Sequence, residues 1–233
     1  MSDQHTQRER PDVAGLSIGI LGGTGAEGRG LGCRFAQAGH PVIIGSRSAD
    51  RAATAAAEIK AAGFAAGVTV TGAENAQAAR WADVVIVAIP WEGHRELLTA
   101  LAAELEGKIV IDCVNPLGFD SRGAYPLPVE EGSAAQQAAA VLPGSRVVAA
   151  FHHVSSVLLL DPGVVTMDLD VLVVGDDREA TDVVQALAAQ IPGVRGIYAG
   201  RLRNSSQVEA LTANLVSVNR RYKAHAGLRV TDV

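Results

Sequence analysis

The sequence of 233 residues predicts an α/β protein: a doubly wound, mainly parallel sheet, followed by a small C-terminal α/β portion that ends in a long helix. Three observations carry that expectation. Short Val- and Ile-rich runs alternate with Ala-rich stretches along most of the chain. Those runs are apolar nearly throughout, as in strands buried on both faces, and do not alternate polar with apolar. Apolar residues make up 48% of the chain and aromatics only 4%, so small aliphatic side chains and 25 glycines do the packing. Such a mix suits helices laid on a sheet.

Strands are expected at 16–21 (LSIGIL), 40–45 (HPVIIG), 67–72 (GVTVTG), 83–90 (DVVIVAIP), 108–114 (KIVIDCV) and 146–151 (RVVAAF). Between them, helices are expected at 27–39, 48–63, 74–82, 92–105 and 132–143, with Ser48 and Ser133 placed as N-caps. Beyond residue 151 the pattern loosens. Strands at 170–175 and 194–200 flank a helix around 178–190, and 205–227 reads as one long helix. Val208, Leu211, Leu215 and Val218 recur there at spacings of three and four, an apolar stripe suited to covering a site or meeting a second copy. The expected division is a loose tail at 1–14, a nucleotide-binding unit at 15–155 and a smaller C-terminal part at 156–233.

Charge and cysteine usage exclude several function classes. The net charge is −5 and no long basic run occurs, so nucleic acid is not an expected partner. Cys33 and Cys113 lie far apart and read as reduced, packed thiols rather than metal ligands. Residues 1–14 are polar and resemble neither a signal peptide nor an anchor. No apolar run approaches the roughly 20 residues of a membrane span. A cytoplasmic protein is expected. No Ser-His-Asp order and no metal-type histidine spacing stands out.

Gly23-Thr24-Gly25-Ala26-Glu27-Gly28 matches G-x-G-x-x-G directly after the first expected strand. In such a Rossmann-type unit one glycine makes the tight turn, one admits a pyrophosphate and one lets helix and strand approach. The free N–H groups at the helix start hold the phosphate charge. After the second strand, an NAD site would place a carboxylate to accept from the ribose 2′-OH. This chain has Ser46 and Arg47, with Arg51 one helical turn later. A hydroxyl can donate to phosphate and a guanidinium can grip it as a fork, so the pattern points to a 2′-phosphate and thus to NADP.

The residues "IGILGGTGAEGRGLGCRFAQAGHPVIIGSR", "AIPWE" and "RNSSQVEALT" resemble the NADPH-dependent F420 reductases, also called coenzyme F420-dependent NADP oxidoreductases. The likeness runs in order over about residues 17–229. It implies hydride exchange between NADP(H) and the deazaflavin coenzyme F420 in a cytoplasmic homodimer. It also implies that Ile89, Pro90 and Trp91 lie against the ribose and nicotinamide, and that Asn115 approaches the nicotinamide. His152, Val154 and Ser156 would pass beneath the two reacting rings, and Asn204 and Ser205 would meet the deazaflavin.

His152 closes an expected strand at the carboxyl edge of the sheet, and remains open between a ligand donor and a satisfied strand-end histidine. Strand alternation turns His153 the other way, toward a structural role, and His94 on a helix reads as structural. Arg220, Arg221 and Lys223 read as a solvated face, with guidance of an acidic cofactor tail as the alternative. Two rival functions stay open: an NADP-dependent imine or pyrroline-carboxylate-type reductase, and an NADP-sensing binding protein without turnover.

Overall fold

In the computed structural model, which describes residues 10–65 and 67–233, the expected sheet is present and continuous. Its strands are β1 (Ile18–Leu21), β2 (Val42–Ser46), β3 (Val70–Glu74), β4 (Val84–Val87), β5 (Ile109–Asp112), β8 (Arg146–Ala149), β9 (Leu169–Gly175) and β10 (Val194–Tyr198), and β6 (Leu117–Asp120) pairs with β7 (Gly123–Pro126) in a separate hairpin. Across the sheet the order is β10-β9-β8-β5-β4-β1-β2-β3. All pairs are parallel except β8–β9. The two strands after residue 156 thus extend the same sheet rather than starting another.

Helices α1 (Ala26–Gln37), α2 (Ala49–Ala61), α3 (Asn75–Trp81), α4 (His94–Ala100), α5 (Ala102–Leu105), α6 (Ala134–Val141), α7 (Ser156–Leu160), α8 (Arg178–Ala189) and α9 (Ser205–Tyr222) cover both faces. Strand alternation divides the core. Ile18, Ile20 and Ile86 face one layer with Leu31, Phe35 and Ile59. Leu21, Val85 and Val87 face the other with Leu98, Leu105 and Ala134. Ser48 and Ser133 do cap α2 and α6, accepting from Arg51 N and Gln136 N. Of the expected tail, residues 1–9 lie outside the described residues, while Val13 is buried in the core.

Several expected elements are shorter, each for a local reason. The β4 strand stops before Pro90, which has no N–H to donate to a ladder. The β8 strand stops at Ala149 because Phe151 turns the chain with φ 65°, in the left-handed region that favours glycine. The alternation argument for His152 and His153 therefore does not apply: both are buried, and His153 Nε2 lies 2.9 Å from Asp170 O. The expected helix 92–105 begins only after Gly93 (φ 95°) and breaks at Leu101. Helix α9 stops at Tyr222 because Lys223 takes a left-handed φ of 52°. Along its stripe Val208 and Leu215 are buried, whereas Val218 is exposed.

A buried polar chain fixes α4 to the sheet. Gln137 donates Nε2 to Glu131 at 3.1 Å, which turns its Oε1 toward His94 Nδ1 at 3.0 Å, while Asp112 Oδ2 lies 2.6 Å from His94 Nε2. Burial opposes a charge on His94, but Asp112 and Gln137 outweigh it and hold its pKa above the ordinary histidine value. An acceptor at each nitrogen requires the protonated ring. Glu131 is itself paired with Arg95.

Removing one partner of such a pair strands the other. Asp112→Ala is therefore expected to cost about 3 kcal/mol or more in urea unfolding at pH 6. The raised histidine pKa makes the pair's contribution full below the unfolded histidine pKa and lost as pH rises through the folded one. The penalty should accordingly shrink by about pH 9.

Candidate functional site

The order of strands reverses between β1 and β4, and open α/β sheets bind ligands at the carboxyl edge of such a point. Two clefts meet there. The narrower, about 350 Å³, is lined by Gly22, Thr24, Gly25, Ser46, Arg47, Arg51 and Asn75. The wider, about 810 Å³, runs past Ala26, Glu27, Trp91, Cys113 and Asn115 to residues 152–157 and the inner face of α9. Gly25, Ala88, Ile89, Pro90 and Glu92 line both, so the two form one groove.

Glycines shape the narrow end. Gly22, one residue ahead of the G-x-G-x-x-G pattern, carries the tight turn with φ +68°, and a Cβ there would meet Ile89 Cγ2 at 2.4 Å. Gly23 and Gly28 are buried and line neither cleft; a Cβ on Gly28 would lie 2.6 Å from Gly23 Cα. They let α1 start against the end of β1. Gly25 is different: the nearest atom to a Cβ there is Gly22 O at 3.7 Å. The open space at Gly25 is on the groove side, in the place a pyrophosphate would take against the first N–H groups of α1.

At the end of β2, Ser46 is buried, and Arg47 and Arg51 are exposed on the cleft rim. Among the described residues neither arginine is engaged in an ion pair. The glycine loop is tied to this strand: Gly23 N donates to Gly45 O at 3.0 Å, and Gly22 N to Asn75 Oδ1 at 3.3 Å.

The wider end holds buried polar atoms without protein partners. Glu27 Oε1 and both ring nitrogens of His152 are enclosed and unbonded. Burial pushes Glu27 up to about 8 and His152 down to about 4, so both are neutral near pH 7. Burial, with the charges of Glu27 and Asp112, likewise holds the Cys113 thiol well above its usual value.

Asn115 sits in this cleft, where its Nδ2 donates to His152 O at 2.8 Å. The single Thr212 hydroxyl hydrogen goes to the nearer acceptor, His152 O at 2.9 Å, with Asn115 Oδ1 beside it at 3.3 Å. Trp91 lies against His94, ring centroids 5.5 Å apart. Val154 and Ser156 line the same cleft. Asn204 and Ser205 line neither: Ser205 is buried and donates to Leu202 O at 2.7 Å. Arg220, Arg221 and Lys223 point to solvent and are also absent from the lining.

Sequence reasoning missed Glu92, Thr212, Val216, Asn219 and His225 in the lining, whereas Leu215 belongs to the apolar stripe it singled out. The spacing 212-215/216-219 is a second helical stripe on α9, and it was readable.

The chain is similar to known proteins. Residues 17–116 match the family model described as NADP oxidoreductase coenzyme F420-dependent. An F420-dependent NADP reductase of Methanothermobacter thermautotrophicus is 38% identical over 94% of this chain and 96% of its own. That of Methanocaldococcus jannaschii is 39% identical over 94% of this chain and 99% of its own. The chain belongs to the F420-dependent NADP reductase family. A crystal structure from Arthrobacter sp. FB24, provisionally named for the same activity, superposes with a TM-score of 0.77 at 26% identity, covering 93% of this chain and all of that one.

Two predictions follow from the lining. Gly25→Ala should change stability by less than about 1 kcal/mol yet weaken dinucleotide binding about tenfold or more. Gly28→Ala should lose about 1–3 kcal/mol of stability by overpacking. Urea unfolding and fluorescence titration separate the two effects. Glu27 has a folded pKa of about 8 against an ordinary 4.5, so its contribution is full below the lower value and lost as pH rises through the upper. Glu27→Gln should then match the native chain near about pH 5 and exceed its urea midpoint by about pH 9; parallel midpoints would contradict the assignment.

Proposed function

We propose that this chain transfers a hydride reversibly between NADP(H) and the deazaflavin coenzyme F420. The carrying observation is the single groove with unlike ends: free arginines at the end of β2, and a broad, charge-neutral floor under residues 152–157 and α9. The bound nicotinamide and deazaflavin supply the donor and acceptor carbons, so the protein's task is alignment and exclusion of water.

Ser46, Arg47 and Arg51 would hold the 2′-phosphate, and the loop Gly23–Gly28 the pyrophosphate, with Thr24, Gly25, Ala26 and Glu27 nearest to it. Ile89 and Pro90 form the shared wall where the nicotinamide would lie, with Trp91 next to them on the wider side. His152 and Glu27, both neutral near pH 7, would underlie the cleft without adding charge beside the reacting atoms. Val154, Leu215 and Val216 supply apolar cover from the opposite side. Asn115 acts through its bond to His152 O, which fixes the turn that carries the histidine. Ser156 would meet the deazaflavin, and Asn204 and Ser205 would act by starting α9.

The division of labour places the dinucleotide on residues 15–155 and the second cofactor's wall on 156–233. We read the protein as a cytoplasmic homodimer. Among the described residues no helix is long and apolar enough to cross a membrane. Exposed Phe119 and Val157 on the rim of the wider cleft support closure by a second copy.

Mixing the protein with NADPH and oxidised F420 should bleach the deazaflavin absorbance; NADPH binding with no bleaching would remove this function. Arg47→Ala should raise KM for NADP about tenfold or more while changing KM for NAD by less than about twofold. Equal changes would show that this arginine is not the selector.

A further inference from the structure

The most complete hydrogen-bonding arrangement in the molecule lies outside the groove. Arg34, on α1, is 1% exposed. A guanidinium carries five N–H donors in a planar fork, and here each has an acceptor. Nε donates to Leu159 O at 2.9 Å, Nη1 to Val164 O at 2.8 Å and to Gln37 Oε1 at 3.2 Å. Nη2 donates to Leu158 O at 2.6 Å and to Asp161 O at 2.9 Å. Arg34 is in no ion pair among the described residues; four backbone carbonyls of 158–164 take the place of a carboxylate.

Those carbonyls belong to the end of α7 and the turn after it. At five residues, α7 is far too short to hold its own shape, and its final carbonyls have no intrahelical partners. Arg34 satisfies them. One turn earlier on α1, Gly30 lets the Leu159 side chain pack onto the helix backbone: a Cβ there would lie 2.6 Å from Leu159 Cβ. The other end of α7 begins at Ser156, and Ser155, Ser156 and Val157 line the wider cleft.

We infer that Arg34 is a positioning residue: its grip on 158–164 sets where Ser155, Ser156 and Val157 stand, and so how the second, flat cofactor is seated over the nicotinamide. The inference rests on the proposed reading of the wider cleft as the deazaflavin site. Lysine cannot substitute, because three donors on one nitrogen do not reach carbonyls arrayed around a plane. The narrow cleft is lined by the loops after β1 and β4, the end of β2, and residues of α2, α3 and α4, and contains nothing from α7. Loosening α7 therefore acts on one cofactor and spares the other.

Arg34→Lys in the full-length chain tests this. Small displacements of a reacting partner are costly, so KM for F420 should rise about tenfold. The Kd for NADP, read by fluorescence titration, should stay within about twofold because its contacts are untouched. Amide hydrogen exchange over 156–164 should quicken, a readout that needs no substrate. Turnover by the native chain tests the site reading separately. Should Arg34→Lys fail to fold, Gly30→Ala, which pushes on Leu159 and leaves the guanidinium in place, takes the same measurements with the same expected split. A parallel rise for both cofactors, an unchanged KM for F420, or unchanged exchange over 156–164 in a folded variant would overturn the inference.

Discussion

The site depends on a backbone constraint at the end of β1, where the chain must turn and begin a helix within a few residues. Gly22 provides the left-handed turn, and Gly23 and Gly28 touch where any side chain would collide. The loop made this way is bonded to its neighbours through Gly23 N to Gly45 O and Gly22 N to Asn75 Oδ1. Gly45 immediately precedes Ser46 and Arg47. The glycine loop and the end of β2 are thus joined by a main-chain hydrogen bond, and the loop is joined to α3 through the Asn75 side chain. Preorganisation of this kind spares the ligand the cost of ordering its own site.

The wider end is assembled from parts distant in sequence. Thr212 and Asn115 both bond His152 O, joining α9, the end of β5 and the turn after β8. Glu209, buried one turn earlier on α9, accepts from Ala134 N at 2.9 Å and Ala135 N at 3.1 Å, capping α6. Burial raises Glu209 to about 7 despite those two bonds. Helix α9 is therefore pinned along its length, and the residues it turns into the groove have defined positions. Glu27 and His152, both neutral near pH 7, add no charge beneath the wider end.

Much of this was legible because it rests on local rules. The doubly wound sheet followed from apolar runs alternating with Ala-rich stretches, and the caps at Ser48 and Ser133 from side-chain chemistry. Ser46, Arg47 and Arg51, singled out by the absence of an acid where an NAD site would place one, line the narrow cleft. What stayed hidden depended on tertiary contact. The β6–β7 hairpin consists of two four-residue strands, too short to show a period, although Asp120 Oδ1 accepts from Arg122 N at 2.7 Å in the turn between them. Five-residue α7 has too little sequence to show a period, and it exists because Arg34, 125 residues away from Leu159, satisfies its carbonyls. The left-handed turn at Phe151 has no glycine to announce it, so His152 and His153 were assigned to a strand that had already ended.

The central claim is that the groove's narrow end recognises a phosphate at the ribose 2′ position through Arg47 and Arg51. Calorimetric titration with adenosine 2′,5′-bisphosphate and with adenosine 5′-monophosphate tests it without involving the nicotinamide or any second cofactor. The account predicts that the bisphosphate binds about tenfold or more tightly than the monophosphate, an advantage that falls as salt is raised. Equal affinity for the two nucleotides would contradict it.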